Sequence, residues 1–217
     1  MKEFALSLSK ELKPGEKVLD AGAGECPYKD FFKEQEYTAV DTKLGDADFD
    51  YSKIDFIVDL AKMPFKEKTF DAALCTQVLE HVSEPGQVLK EIYRVLKKGG
   101  LLYATVPQSD CVHEAPYDYF RFTPYSLKYL LEKAGYEIMD IKPSCGYFGF
   151  LGHRLAFFPR IMFWQTKSRF RRIILFPLEI LSYLFFALLF PIVLNAIDFL
   201  DKERDFTLFY FVRAVKP

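Results

Sequence analysis

The chain has 217 residues, a length that suits one domain or one domain with an elaboration. Half of its residues are hydrophobic, so it can bury a sizeable core, and its net charge of −1 excludes a global signature of nucleic-acid binding. Its four cysteines lack metal-ligand spacing, and the start Met1-Lys-Glu-Phe lacks a signal-peptide pattern. We therefore expect reduced thiols in a cytoplasmic protein.

A glycine turn follows the first predicted strand. Residues 17–24 read Lys-Val-Leu-Asp-Ala-Gly-Ala-Gly, in which the glycines permit positive φ and let backbone N–H groups approach a nucleotide-like ligand. A second apolar run ends in Asp41, about 20 residues on, where a carboxylate reaches ribose hydroxyls. The third glycine of a dinucleotide fingerprint is missing, and Glu25 would repel a pyrophosphate. The loop therefore predicts a ligand with adenosine and ribose but no phosphates.

Short apolar runs alternate with amphipathic helical patterns along the first 141 residues. Predicted strands cover residues 18–21, 38–40, 56–58, 72–75, 101–106 and 136–141. One helix begins at Pro85 and ends before Gly99, and a second is capped by Thr123 and closed by Gly135. This alternation predicts an α/β fold with a doubly wound parallel sheet.

Residues 142–205 break the alternation. Between Asp140 and Glu179 there is no acidic residue, and cationic and aromatic residues are interleaved there. Residues 180–197 carry no charge, and another strand is predicted over 206–212. The cationic residues are Lys142, Arg154, Arg160, Lys167, Arg169, Arg171 and Arg172, and the aromatic ones are Phe157, Phe158, Phe163 and Trp164.

Several motifs together carry a family resemblance. Beside the glycine loop stand Asp59-Leu60, Met63-Pro64-Phe65, Thr69-Phe70-Asp71, Gln77-Val78-Leu79-Glu80-His81-Val82 and Arg94-Val95-Leu96-Lys97-Lys98-Gly99-Gly100. In the residues of these motifs and in their spacing, the chain resembles a class I S-adenosylmethionine-dependent methyltransferase over residues 1–141 and 206–217. The resemblance implies a Rossmann-like seven-stranded sheet with an antiparallel last strand, and S-adenosylmethionine as cofactor.

The resemblance also implies a role for each part of the cofactor site. The residues implied are Asp20, Ala21, Gly22 and Gly24 for the methionine part, Asp41 for the ribose diol, Asp59 and the Leu60 backbone N–H for adenine, and Thr76 and Gln77 beneath the sulfonium.

Residues 107–123 resemble the substrate loop of the same family, and we expect His113, Tyr117 and Arg121 to be its catalytic residues. His113 is a candidate general base, because the ordinary pKa of histidine lies near working pH. An alternative with equal weight is that Asp118 and Arg121 form an ion pair that holds the loop.

Glu80 and His81 match only part of a known metal-binding motif. Related quinone-pathway O-methyltransferases hold magnesium with Glu-x-x-Glu-His, whereas Gln77 stands at the first of these positions here. We therefore expect no metal, and favour a hydrogen-bond network at a helix start.

The insert at residues 142–205 is the element that the family fold lacks. Residues 180–197 reach the lower limit of transmembrane length. A single crossing is not expected, because the strands on either side belong to one sheet. The alternatives are an in-plane amphipathic segment, a shallow hairpin bent near Pro191, or a helix pair buried against protein.

Two partners remain open for this insert. Cations with interfacial aromatic residues favour an anionic membrane surface, and a homodimer interface would also be rich in arginine and aromatic residues. Because the last strand is antiparallel, the insert should emerge at the carboxyl edge of the sheet, where ligands bind. We expect a peripheral or monotopic methyltransferase for a lipid, an isoprenoid or quinone headgroup, or a lipid-linked glycan. The alternatives are a soluble small-molecule methyltransferase whose insert forms an oligomer, and a non-catalytic scaffold.

Overall fold

The computed structural model describes residues 1–45, 50–163 and 169–217, and for residues 169–174 it describes the backbone alone. The chain divides into two compact units. The sheet unit consists of Met1–Lys142 and Phe209–Pro217, and the helical unit consists of Pro143–Leu208.

The sheet unit contains one seven-stranded sheet in the order β3-β2-β1-β4-β5-β7-β6. The strands are β1 Lys17–Ala21, β2 Glu36–Asp41, β3 Phe56–Ile57, β4 Phe70–Thr76, β5 Leu96–Pro107, β6 Glu137–Pro143 and β7 Phe209–Val215. Strands β1 to β5 pair in parallel, and β7 runs antiparallel to β5. The predicted fold class is confirmed, although β5 begins five residues before the apolar run that predicted it.

Three helices flank the sheet: α1 Lys2–Glu11, α2 Pro85–Val95 and α3 Pro124–Ala134. The predicted caps of α3 are present. Thr123 Oγ1 accepts a hydrogen bond from Ser126 N at 3.2 Å, Ser126 Oγ accepts one from Thr123 N at 3.0 Å, and Gly135 closes the helix with φ +101°.

Alternate strand residues supply two apolar layers, one on each face of the sheet. Leu19, Ala73 and Leu102 pack in one cluster with α2 and α3, while Val18 and Leu74 pack in another with α1. Because side chains alternate along a strand, this division follows from the parallel register of β1 with β4. Helices on both faces explain why the strands read as continuous apolar runs.

The carboxyl ends of the parallel strands define the edge at which β7 begins. Phe209, the first residue of β7, lies opposite Pro107, the last residue of β5. The chain therefore rejoins the sheet at its carboxyl edge, as the antiparallel direction of the last strand predicted.

The helical unit is an antiparallel helical hairpin. Its first leg contains α4 Tyr147–Ala156 and α5 Phe158–Phe163, and its second contains α6 Arg169–Ser182, a π-helical segment Tyr183–Leu189 and α7 Phe190–Ala196. Gly152 approaches Pro191, where an added Cβ would lie 3.2 Å from Pro191 Cα, and the rings of Phe158 and Phe186 lie 4.6 Å apart. Residues later in the first leg thus contact residues earlier in the second leg, so the two legs run antiparallel.

Asp198 fixes the base of this hairpin. Its carboxylate accepts hydrogen bonds from Gly146 N at 2.8 Å and Gly149 N at 2.7 Å, and Asp201 accepts one from Tyr147 N at 2.6 Å. These contacts satisfy backbone donors at the start of α4 that have no partner within the helix.

A bend near Pro191, which one of the three alternatives for the insert required, is not at that position. Leu175–Leu200 forms one helix that runs through Pro191. Proline lacks the N–H that an α-helix requires, and the π-helical segment just before it changes the local hydrogen-bond spacing. The two antiparallel legs lie on either side of residues 164–168, which are outside the described residues.

A buried carboxylate connects α2 to the segment before β4. Glu91 accepts a hydrogen bond from Met63 N at 2.8 Å and pairs with Arg94 at 2.7 Å. We expect Glu91→Ala to lower the free energy of unfolding by about 1–3 kcal/mol, because it leaves Met63 N without its acceptor. Urea denaturation measures the change. Glu132→Ala is the matched control, since its pair with Lys128 is exposed, and it should change stability by less than about 0.5 kcal/mol. Equal effects of both substitutions would contradict a role for Glu91 in this connection.

Candidate functional site

The glycine turn lies directly after β1. Gly22 has φ +81° and Gly24 has φ +52°, values that favour glycine. At Gly22 there is also no room for a side chain, because an added Cβ would lie 2.3 Å from Val78 Cγ2. Gly22 N and Ala23 N both donate to Val40 O, at 2.9 and 3.1 Å, so the turn is fixed to the end of β2.

Asp41 closes the same turn from the end of β2. Its side chain accepts hydrogen bonds from Gly24 N at 2.9 Å and from Lys43 N at 2.7 Å. The glycine turn and this carboxylate thus lie side by side, and the role of Asp41 toward the ribose diol stays a prediction. A buried carboxylate at the end of β2, next to glycine N–H groups, is suited to accept hydrogen bonds from a ribose diol.

Asp20 lies beneath the turn and is almost fully buried. Tyr37 Oη donates a short hydrogen bond to Asp20 Oδ2, while Oδ1 accepts none from the described residues. Burial raises the pKa of Asp20 to about 7, despite the hydrogen bond from Tyr37 that lowers it, and the Asp41 carboxylate raises it further. The site therefore holds an acidic group that a cationic ligand would help to ionise.

A cavity of about 90 Å³ opens above the turn. Its walls come from the glycine turn, the residues after β2, the residues after β4, and the loop before α3. Of the residues predicted from the sequence, Gly22, Gly24, Asp41, Leu60, Gln77 and Tyr117 line it.

The other predicted site residues lie outside these walls. They are Asp20, Ala21, Asp59, Thr76, His113 and Arg121. Asp59 is exposed, and its Oδ1 accepts a hydrogen bond from Ala61 N at 2.8 Å. Its role toward adenine stays a prediction, as do the roles of the others.

Gln77 occupies a strained position at the mouth of the cavity. It has φ +55°, its backbone N–H donates to Thr105 O at 2.9 Å, and its side-chain amide contacts Thr105 Oγ1 at 3.1 Å. Strained backbone of this kind is concentrated at ligand sites, which agrees with its predicted place beneath the sulfonium.

A second, larger cavity of about 780 Å³ lies along α3 and β6. None of the predicted site residues lines it. Its walls include Pro124, Tyr125, Glu132 and Pro217. We place the functional site at the smaller cavity, because the positive-φ glycines Gly22 and Gly24 and the buried carboxylate of Asp41 line it.

The loop before α3 is held by the ion pair that the sequence left open as an alternative. Arg121 Nη1 lies 2.6 Å from Asp118 Oδ1, and Arg121 Nη2 donates to Cys111 O at 2.7 Å. The Arg121 guanidinium holds the pKa of Asp118 well below its usual range. Asp118 also accepts a hydrogen bond from His113 N at 2.9 Å. A catalytic role for Arg121 stays a prediction beside this structural one.

This loop brings His113 against His81. The two imidazole rings meet edge to face with their centroids 4.7 Å apart. His81 Nδ1 lies 2.8 Å from Tyr117 O, and His81 Nε2 lies 3.8 Å from Glu114 Oε2. His81, Glu114 and Tyr117 all line the cavity.

Glu80 lies beneath the two histidines with its carboxyl group fully buried. Neither carboxyl oxygen has a hydrogen-bond partner among the described residues, and burial raises its pKa to about 8. The hydrogen-bond network expected here exists for His81 and is missing for the Glu80 side chain.

Sequence reasoning missed three contacts of this site. They are the hydrogen bond from Tyr37 to Asp20, the packing of Val78 against Gly22, and the approach of Glu114 to His81. Each joins residues on different elements, and the sequence carries no local signal for such contacts.

Comparisons with known proteins agree with this geometry. Residues 19–104 match the family described as Methyltransferase domain. This range starts in β1 and ends within β5, so it includes the glycine turn, Asp41 and the Glu80–His81 pair.

Two curated methyltransferases are similar over part of the chain. A cycloartenol-C-24-methyltransferase 1 of Oryza sativa subsp. japonica is 35% identical over 112 residues, which are 45% of this chain and 32% of that protein. A demethylmenaquinone methyltransferase of Renibacterium salmoninarum is 37% identical over 97 residues, which are 41% of this chain and 40% of that protein. The chain thus spans less than half the length of these two relatives.

A solved structure shares the fold. The 1,6-didemethyltoxoflavin-N1-methyltransferase of Burkholderia thailandensis, with S-adenosylhomocysteine bound, superposes with a TM-score of 0.58 at 18% identity, covering 99% of this chain and 77% of that one. At this identity the likeness concerns the fold alone. The family match over residues 19–104, the strand order and the glycine turn agree with the class I S-adenosylmethionine-dependent methyltransferase domain that the sequence resembles, and they support S-adenosylmethionine as its cofactor.

Proposed function

We propose that this protein is a membrane-associated enzyme that transfers the methyl group of S-adenosylmethionine to a lipid, an isoprenoid or quinone headgroup, or a lipid-linked glycan. The observation that carries the membrane part is the helix Leu175–Leu200. It has 26 residues, and its most apolar 18-residue window has a mean hydropathy of 2.3 and is only 6% buried. By length and composition such a helix can cross a membrane.

The exposed surface of this helix is large and apolar. Leu181, Leu184, Leu188 and Ile192 are each about half exposed, and Phe176, Leu178, Leu189 and Val193 add to the same surface. Soluble monomers rarely leave so many large apolar residues uncovered on one element. A bilayer would cover them, which supports membrane attachment over a helix pair buried within the chain.

The antiparallel hairpin is compatible with insertion into a membrane, although a single crossing is not. Strands β6 and β7 belong to one sheet, so the intervening chain must return to the side that it left. A hairpin with antiparallel legs does so, and the chain rejoins the sheet at the carboxyl edge. The similarity to a demethylmenaquinone methyltransferase supports a quinone or related isoprenoid as acceptor.

The basic residues of the insert add a second source of attraction. Arg154 and Arg160 lie in the first leg. Trp164 and Lys167 lie outside the described residues, as do the side chains of Arg169, Arg171 and Arg172. Each Lys or Arg near an anionic surface adds about 1 kcal/mol, so charge supports the same attachment.

Methyl transfer requires positioning more than covalent chemistry from the protein. The cofactor supplies a methyl group already activated by its sulfonium. Asp41 and the glycine turn would hold the ribose and methionine parts, and Gln77 would lie beside the sulfonium. Tyr117, on the cavity wall, would orient the acceptor, and the role of His113 as general base stays a prediction.

Asp41 tests the cofactor site. If it holds the ribose diol, Asp41→Ala should weaken binding of S-adenosylhomocysteine by about 1.5–3 kcal/mol, the scale of a hydrogen bond to a charged group. Asp41→Asn should lose less, because one acceptor oxygen remains. Calorimetry measures both. Asp30→Ala, which removes an exposed carboxylate of the same unit, should leave affinity unchanged. Unchanged affinity in a folded Asp41→Ala protein would remove Asp41 from the site.

The pH dependence of stability in the cofactor-free protein tests whether the pKa of Asp20 is raised. Its pKa of about 7 lies above its ordinary value of 3.8, so the folded state binds the proton more tightly than the unfolded state. Its contribution to stability is therefore complete below about pH 4 and is lost as pH rises through 7. The slope is at most about 1.4 kcal/mol per pH unit, the limit for one proton.

Asp20→Asn should remove this dependence. The difference in unfolding free energy between wild type and Asp20→Asn, measured by urea denaturation from pH 4 to 8, should change in favour of the variant as pH rises. A difference that stays constant with pH would contradict a raised pKa for Asp20.

Vesicle flotation tests the membrane proposal. The double substitution Leu184→Glu and Leu188→Glu should weaken binding to anionic vesicles by far more than tenfold, because burial of each leucine contributes about 1.5–3 kcal/mol. Tyr125→Glu is the matched control: it replaces an exposed apolar residue of the sheet unit and should leave binding unchanged. Changing Arg169, Arg171 and Arg172 to Glu should weaken binding to anionic vesicles, and high salt should do part of the same.

The opposite outcome identifies the alternative. If the unmodified protein binds neither anionic nor neutral vesicles and forms a tight dimer in solution, the exposed helix is a subunit interface and the membrane proposal is wrong.

A further inference from the structure

We propose that Glu80, His81 and His113 form a binding site for a divalent transition-metal ion beside the cofactor cavity. Each residue offers one ligand atom, and the three atoms lie within 4.8 Å of one another. The sequence predicted no metal, because the related magnesium motif has Glu where this chain has Gln77. In this fold the third ligand comes instead from the loop before α3.

The distances suit a site that closes slightly around an ion. His81 Nε2 lies 3.9 Å from Glu80 Oε1. Ligand atoms about 2.1 Å from a tetrahedral zinc ion lie roughly 3.4 Å apart. Side-chain rotations of about 1 Å would therefore bring the three atoms to coordination distance. Glu114 Oε2, 3.8 Å from the same His81 nitrogen, stands close enough to supply a fourth ligand.

Both imidazoles are oriented as metal ligands are. His81 Nδ1 contacts Tyr117 O at 2.8 Å, and His113 Nδ1 contacts Cys111 O at 3.0 Å. A carbonyl oxygen can only accept, so each Nδ1 carries a proton that it donates. Each Nε2 is then left as an electron-pair donor. A backbone carbonyl that fixes the tautomer in this way is the usual second contact of a metal-bound histidine.

Glu80 is the independent observation that indicates an ion. Its side chain has no exposed surface, and neither of its oxygens has a hydrogen-bond partner among the described residues. Buried carboxylates are normally paired, hydrogen-bonded or bound to a metal. Glu80 lies beside the imidazoles of His81 and His113, and an ion between the three groups would satisfy it.

The ligand set indicates which ions fit. Two imidazole nitrogens with one or two carboxylates suit Zn²⁺, Co²⁺ and Mn²⁺ better than Mg²⁺, which prefers oxygen ligands. Because His81 and Glu114 line the cofactor cavity, an ion here would be placed to bind an acceptor oxygen and lower its pKa. This last consequence rests on the proposed methyl transfer, whereas the ion site itself does not. Under this assignment His113 is a metal ligand and not a general base.

Metal titration of the full-length protein tests the site without any activity measurement. After treatment with a chelator, the protein is titrated with Zn²⁺ by calorimetry and with Co²⁺ by visible absorption. We expect one equivalent to bind, with imidazole-dependent Co²⁺ bands and a raised Tm, since an ion that binds only the folded state stabilises it. His113→Ala and Glu80→Gln should each weaken Zn²⁺ affinity at least tenfold.

Two control variants separate this site from adventitious binding. His153→Ala removes the third histidine of the chain, which lies in the helical unit, and should leave affinity unchanged. Cys111→Ser removes the exposed thiol of the same loop and should also leave it unchanged. S-adenosylhomocysteine affinity of His113→Ala, whose side chain lies outside the cavity wall, shows that the variant is folded.

Several outcomes would overturn the proposal. It is wrong if wild type binds neither ion, if His113→Ala and Glu80→Gln bind as wild type does, or if only Cys111→Ser loses binding. The two proposals are tested independently. Failure to bind vesicles would not contradict the metal site, and failure to bind metal would not contradict the proposed methyltransferase function.

Discussion

Three acidic side chains are buried at the carboxyl edge of the sheet, and the rest of the site is arranged around that constraint. Asp20 is the second-last residue of β1, Asp41 is the last residue of β2, and Glu80 lies shortly after β4; all three are buried. Asp41 accepts hydrogen bonds from Gly24 N of the glycine turn and from Lys43 N, whereas Asp20 and Glu80 each keep at least one oxygen without a partner among the described residues. Burial therefore raises the pKa of both. A cationic ligand would offset this cost, and the sulfonium of S-adenosylmethionine would bring such a charge if the cofactor binds in this cavity.

The loop before α3 has its position because backbone groups at Glu80 hold it. Tyr119 N and Phe120 N both donate to Glu80 O, and the ion pair of Asp118 with Arg121 stiffens the loop between them and His113. The same residue thus supplies a carbonyl that fixes the loop and a carboxyl group that faces the histidines. A change in the loop would alter the cavity wall and the histidine pair together.

The sequence predicted the sheet well because its signals are local. Apolar runs, the glycine turn and the Thr123 cap each lie within a few neighbouring residues, and each is present in the structure. The contact of His81 with His113 spans 32 positions and depends on the path of a loop with no periodic pattern. The hydrogen bond from Met63 to Glu91 is missed for the same reason. Side-chain pairing between elements depends on tertiary packing, which spacing along the chain does not encode.

The helical unit combines a polar base with apolar legs, and this contrast is its main physical property. At the base, Asp198 and Asp201 accept hydrogen bonds from the start of α4, so the backbone there is satisfied without water. The helix Leu175–Leu200, which contains most of the second leg, spans about 39 Å, longer than the hydrocarbon core of a bilayer, which is about 30 Å. Gly152 lets the legs approach closely at Pro191, as small residues do between helices in lipid. Among the described residues, the close leg packing and the exposed apolar side chains of the second leg agree with the membrane attachment proposed above.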